Sequence, residues 1–61
     1  MPFFTQEALV PLRKAPKESA EMISQLVFGE YGEILEEQEA WLFVQNAEDG
    51  YQGWVDKKMV K

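Results

Sequence analysis

The sequence predicts a small all-β domain, a barrel of five or six short and mostly antiparallel strands. Three observations carry that expectation. Apolar residues come in short runs rich in aromatic and branched side chains, such as Ile34-Leu35 and Trp41-Leu42-Phe43-Val44, which suit a pleated, half-buried surface. Turn residues recur at the intervals of an all-β chain: Pro16, Gly29, the polar stretch Glu36 to Glu39, and Asn46-Ala47-Glu48-Asp49-Gly50. A helix, finally, handles the centre poorly. Tyr31, Ile34, Leu35, Trp41 and Leu42 do fall at helical spacing, but Gln38 interrupts that stripe, Phe43 and Val44 lie off it, and Gly32 stands near its start.

Taken in order, Ala8 to Leu12 reads as the first strand, with Pro11 pointing to an edge or a strand end because it cannot donate to a ladder. Arg13 to Ser24 reads as a long early loop around Pro16, with room for a turn of helix near Ser19 to Met22. Gln25 to Phe28 is the next strand, closed by Gly29. Tyr31 to Glu37 and Trp41 to Gln45 follow as a hairpin, and Tyr51 to Val55 returns after a turn in which Asp49-Gly50 accommodates positive φ. Asp56 to Met59 fits one 3-10 turn before Val60. Alternation of side chains places Leu9, Leu26, Ile34, Leu42, Val44 and Val55 inside. Trp41, Phe43, Tyr51 and Trp54 cannot all share so small an interior, so some of them belong to the surface. Closure into a barrel spares such a sheet its exposed edges.

Composition bounds the function. The chain has 61 residues, 46% of them hydrophobic, with no Cys and no His. A chain this short buries only about 60% of the surface its unfolded form exposes, which leaves little room for a deep active site. Thiol nucleophiles, imidazole bases, CxxC chemistry, disulfides and the usual zinc ligand sets are all absent, so no cofactor or metal is expected. Eleven acids stand against 6 bases, a net charge of −5, and the bases cluster at the ends: Arg13, Lys14 and Lys17, then Lys57, Lys58 and Lys61. Glu18 to Asp56 holds ten carboxylates and no base. Nucleic acid is therefore an unsuitable partner, whereas a cationic group suits this surface. No apolar run approaches the roughly 20 residues of a membrane span. The opening MPFFTQEALV lacks the basic and apolar regions of a signal peptide, which leaves cytoplasm and cell envelope both open as locations.

Val10-Pro11-Leu12-Arg13, Phe28-Gly29-Glu30, Ile34-Leu35-Glu36-Glu37, the Trp at 41 and Gly53-Trp54-Val55, in that order, resemble the bacterial SH3 domain, and the likeness spans nearly the whole chain. In particular the set is similar to the SH3 domain that precedes the catalytic domain of NlpC-type cell-wall cysteine peptidases, which cleave γ-D-glutamyl-L-diamino acid bonds in peptidoglycan stem peptides. The resemblance implies an SH3-like barrel over residues 1–61 that is not itself an enzyme. It also implies a module that lies against the peptidase domain of its parent chain and helps form the pocket for the free amino end of a stem peptide. The catalytic Cys and His of that family belong to the other domain.

An ammonium group is held by a carboxylate in restricted solvent, and a nearby aromatic ring adds about 0.5 to 2 kcal/mol. Glu30 after the Phe-Gly turn, Tyr51 in Gly50-Tyr51-Gln52-Gly53, and Glu21 in the long loop are the candidates for that role, with Trp41 and Trp54 as scaffold, interdomain contact or ligand platform. The plainer alternatives are a solvated turn glutamate for Glu30 and a hairpin packing residue for Tyr51. Two departures from the family pattern stand out. Gly32 occupies a place usually held by a β-branched residue, which predicts a looser strand. Leu42-Phe43 replaces the more common aromatic-plus-basic pair, which predicts extra apolar surface. No ALYDY-like segment is present, so the likeness to eukaryotic SH3 domains is architectural and implies no Pro-rich ligand. A general protein-interaction module is the alternative function. A hydrolase built on Glu36 and Glu37 fails because neighbouring strand residues point to opposite faces.

Overall fold

The computed structural model describes residues 1–61. Six strands form one antiparallel sheet: β1 (Pro2–Phe4), β2 (Leu9–Arg13), β3 (Met22–Val27), β4 (Tyr31–Gln38), β5 (Trp41–Asn46) and β6 (Gln52–Asp56), followed by a 3-10 turn at Lys57–Met59. The spatial order is β1-β4-β5-β6-β2-β3. The only helical segment is that 3-10 turn, so no helix is long and apolar enough to cross a membrane.

The expected all-β class, the two central hairpins and the 3-10 turn are all present. Asp56 begins the turn by accepting a hydrogen bond from the Lys58 N–H on its side chain, the ordinary device for satisfying free donors at such a start. Gly29 (φ 90°) and Gly50 (φ 75°) take the left-handed backbone that the two turns require. Three expectations need correction. Pro2–Phe4 forms a strand that local pattern did not reveal; its three residues gain their ladder from β4, through Phe3↔Gly32 and Phe4↔Tyr31. No helical turn forms near Ser19 to Met22, because Met22 already opens β3 and pairs with Arg13. Leu9 is outside, 54% exposed. The register Leu9↔Val27 and Val10↔Leu26 sends Val10 and Leu12 inward instead, and a one-residue change of parity moves a whole strand's inner set to the other face.

The core consists of Phe3, Val10, Leu12, Leu26, Leu42, Val44, Val55 and Val60, with Ile34 and Met59 packed against it. Every strand supplies at least one of these side chains. Pro11 falls where β2 pairs only with β3, since the β2–β6 ladder is confined to Arg13↔Trp54, so its missing N–H costs no bond on that side. In β4 the register shifts between Ile34 and Glu36. This bulge leaves Leu35 as the extra residue, and the strand beyond it carries exposed Glu36 and Glu37 away from the core.

Gly32 does the opposite of loosening its strand. It is buried, and a Cβ there would stand 1.9 Å from the Gln45 carbonyl oxygen and 2.9 Å from Cε1 of Phe3. The absence of a side chain lets β5 approach on one flank while the Phe3 ring covers the other. The largest closing contact is at Thr5, which is 1% exposed. Its N–H donates to Glu30 O (2.9 Å), its hydroxyl donates to Val27 O (2.7 Å), and the Glu30 N–H donates back to that hydroxyl (3.1 Å). Thr5 also bridges Val60. The end of β1, the β3–β4 turn and the C-terminal residues thus meet at one side chain, which draws the two outer strands of the sheet order together into a barrel-like form.

Two substitutions test this account. Thr5→Val keeps the shape and removes the hydroxyl's bonds to Val27 and Glu30, so it is expected to cost about 1 to 3 kcal/mol of unfolding free energy in urea. Gly32→Val, which installs the residue type usual in the family, is expected to cost more than about 4 kcal/mol and to erase the cooperative thermal transition; a stable, cooperative Gly32→Val protein would overturn the close-approach reading.

Candidate functional site

Glu30 lies in the three-residue turn between β3 and β4, where Gly29 supplies the reversal. Its carboxylate is not merely solvated. One oxygen accepts the Val27 N–H at 2.8 Å, and the other accepts from Asn46 Nδ2 at 3.2 Å. Asn46 ends β5 and is 3% exposed. Its Oδ1 accepts the Glu48 N–H at 3.1 Å, while its backbone N–H donates to Tyr51 O and its carbonyl accepts the Gly50 N–H. A single buried amide therefore fixes the Glu30 carboxylate and the shape of the β5–β6 turn at once. The Asx-type bond from side chain to the backbone two residues on is what Asn does in turns, and here it also aims the other end of the amide at an acid.

A cleft of about 280 Å³ opens over these groups, lined by Gly29, Glu30, Tyr31, Asn46 and Glu48. A second, of about 430 Å³, is lined by Pro2, Tyr31, Gly32, Glu33, Gln45, Asn46, Ala47 and Gly50. Tyr31 and Asn46 belong to both, so the two depressions share a wall. The first cleft brings two carboxylates, an aromatic ring and an amide to one place, and its lining carries no Lys or Arg. Such a set attracts a cationic group.

The five candidate residues are dispersed. Only Glu30 lines this cleft. The Tyr51 side chain is exposed and lines none of the three clefts; its N–H donates to Asp49 Oδ1 at 3.0 Å within the turn. Glu21 is exposed just ahead of β3, and its carbonyl accepts the Lys14 N–H. Trp41 lines a third cleft of only about 50 Å³, with Pro11, Arg13, Glu18, Asp56 and Met59. Trp54 stacks on Phe43 with ring centroids 5.1 Å apart at 46°. That pairing also settles Leu42-Phe43: Leu42 is core and Phe43 is half-buried against Trp54, so the pair adds little free apolar surface.

Tyr31, Asn46 and Glu48 are the cleft residues that sequence reasoning passed over. Asn46 and Glu48 carried a signal, the Asn at the head of a turn with an acid two residues later. Tyr31 carried none beyond following Glu30 in the chain, since which clefts its ring lines depends on where β1 and β5 lie.

Glu30→Gln tests the bracing role. A carboxamide offers one acceptor where two donors converge, so this substitution is expected to cost about 1 to 2 kcal/mol and to broaden or shift the Asn46 side-chain amide resonances. Glu48→Gln, whose side chain makes no hydrogen bond, is expected to leave stability within about 0.5 kcal/mol of the parent. Equal costs for the two would remove the distinction drawn between brace and rim.

Residues 12–59 match the family model described as the bacterial dipeptidyl-peptidase SH3 domain. No curated protein matches the chain. The match covers most of the chain and both turns that build the acidic cleft, and with the six-stranded antiparallel sheet it assigns the chain to the bacterial SH3 domains of the dipeptidyl-peptidase type, accessory modules of peptidases.

Proposed function

We propose that this chain is a non-catalytic recognition module that docks on the cell-wall cysteine peptidase domain of its parent protein and helps receive the amino end of a peptidoglycan stem peptide. The observation that carries the reading is the cleft at Gly29, Glu30, Tyr31, Asn46 and Glu48, where two carboxylates and a ring surround a space of suitable size for an alkylammonium group. Glu30 is held in place by Val27 and Asn46, so little side-chain entropy is lost when it meets a cation. Tyr31 supplies the aromatic face at this position.

A docking surface adjoins the cleft. Phe4 and Tyr31 are directly opposed on β1 and β4, Leu9 and Val27 on β2 and β3, and Phe28 follows Val27. All five are at least half exposed, Phe28 to 70%. Phe4 precedes Thr5 and the Val27 carbonyl accepts from the Thr5 hydroxyl, and a second domain resting on these residues would bring its own residues to the edge of the cleft. The same surface supports the alternative reading, a general protein-interaction module with no link to peptidoglycan.

Titration of the chain with L-Ala-γ-D-Glu-containing peptides, followed by amide resonances, separates the two. Peptidoglycan recognition predicts shifts confined to Gly29–Tyr31 and Asn46–Glu48, and binding weakened roughly threefold to tenfold by Glu48→Gln. Acetylating the peptide amine is expected to abolish the shifts. Shifts that survive acetylation, or that centre on Trp41 instead, would count against this assignment of the site.

A further inference from the structure

We infer that the outer edge of β3 is a surface on which a second copy of the chain pairs, strand against strand, once it is freed, and that the Glu30 carboxylate holds this edge closed. The inference is independent of the stem-peptide reading and concerns the backbone of β3 instead of the clefts.

β3 stands last in the sheet order, so β2 alone flanks it. The strand at the other end of the order is better covered, because the Phe4 N–H donates to Lys61 O and the Phe4 carbonyl accepts from the Lys61 N–H. Along β3 the direction of the polar groups follows from Val27. This residue lies opposite Leu9, yet its N–H donates to Glu30 Oε1 at 2.8 Å, and its carbonyl accepts from the Thr5 hydroxyl at 2.7 Å and from the Glu30 N–H at 3.1 Å. Both groups therefore point away from β2. Residues of an antiparallel ladder alternate between those that exchange bonds with the neighbour and those that do not. Gln25, two positions earlier and opposite Pro11, thus turns its own N–H and carbonyl to the same open flank, and no backbone bond from elsewhere in the chain reaches them.

The composition of the strand makes an open flank matter. Met22-Ile23-Ser24-Gln25-Leu26-Val27 contains no charge, no Pro and no Gly, the make-up of segments that add strands to one another. Exposed edges are ordinarily guarded by Lys, Pro, bulges or charges set against them. β3 has a bulge at one end, where Ile23 is the extra residue between the pairs Leu12↔Ser24 and Arg13↔Met22. At the other end the guard is Glu30, from the turn that follows. A two-fold antiparallel pair centred on Leu26 sets Gln25 of each copy opposite Val27 of the other and stays clear of the bulge. In that register the Val27 N–H has to donate to the Gln25 carbonyl of the second copy, and this is the donor that Glu30 occupies. The carboxylate also sets a negative charge where the incoming carbonyl would lie. Freeing Val27 supplies two such bonds, one in each direction. A second copy suits the edge because the register is self-complementary and brings no two charged residues of β3 together, while the net charge of −5 opposes the pair at longer range.

The test compares the unsubstituted chain, Glu30→Ala and Glu30→Ala/Gln25→Lys by analytical ultracentrifugation at low and high salt, with amide exchange followed residue by residue. The unsubstituted chain is expected to stay monomeric, and its Gln25 amide to exchange at least about tenfold faster than those of Ser24 and Leu26, which bond to β2. Glu30→Ala is expected to self-associate at least about tenfold more tightly, more so at high salt, where the net charge is screened, with exchange at Val27 slowing as concentration rises. Lysine at position 25 restores an ordinary edge guard and is expected to return the double variant to the monomer. A Glu30→Ala chain as monomeric as the unsubstituted one overturns the inference. So does association that leaves Val27 exchange unchanged or survives Gln25→Lys, and so does an unsubstituted chain that already pairs through β3. If Glu30→Ala does not fold, Glu30→Gln takes its place, since a carboxamide leaves one of the two donors at that site unserved; at least about threefold tighter association is then expected, and none refutes the proposal.

Discussion

The barrel is held shut by one small side chain. A sheet of six short strands has two free edges, and Thr5 joins the strands that carry them by bonding to Val27 and Glu30 on one side and bridging Val60 on the other. Threonine suits this place because its hydroxyl donates and accepts at once, while its methyl group occupies a site from which water is excluded. Each of those bonds contributes only about 1 kcal/mol. Their value lies in what they connect: residues 22 to 25 positions apart in sequence on one side and the C-terminal end of the chain on the other. With no disulfide available, non-local hydrogen bonds of this kind and the eight-residue core carry the closure together.

The same knot shapes the candidate site. Thr5 holds the backbone of Glu30, and Asn46 holds its carboxylate, so the acid stands where the fold requires it whether or not a ligand is present. Recognition groups that double as structural braces are preorganised, and they resist removal without cost to the fold. Glu48 on the rim carries no such burden. The two acids of the cleft thus differ, Glu30 being fixed by the scaffold and Glu48 having no side-chain hydrogen bond.

Tyr31 sits where two surfaces meet. It lines both clefts, and through its pairing with Phe4 it also belongs to the apolar face above the Thr5 contact. Anything that covered this apolar face would lower the dielectric around Glu30 and Glu48 and strengthen their attraction for a cation.

What the sequence by itself determined was the alternation. Runs such as Trp41 to Val44 and Gly53 to Val55 placed Leu42, Val44 and Val55 inside because period-two burial has no other reading there, and Gly29 and Asp49-Gly50 marked reversals because few residues tolerate positive φ. The ordered motifs carried the family, since it is written in spacing along the chain. Tertiary structure decided everything that depended on which strand lies beside which. Val10 and Leu12 rather than Leu9 entered the core because β3 set the parity of β2; Pro2–Phe4 became a strand only because β4 offered an edge; Gly32 acquired its meaning from Phe3 and Gln45. Glu30 could be read as an acid in a turn, but its partners Asn46, Tyr31 and Glu48 come from β4, β5 and the turn beyond, and contacts between strands leave no periodic trace in any one of them.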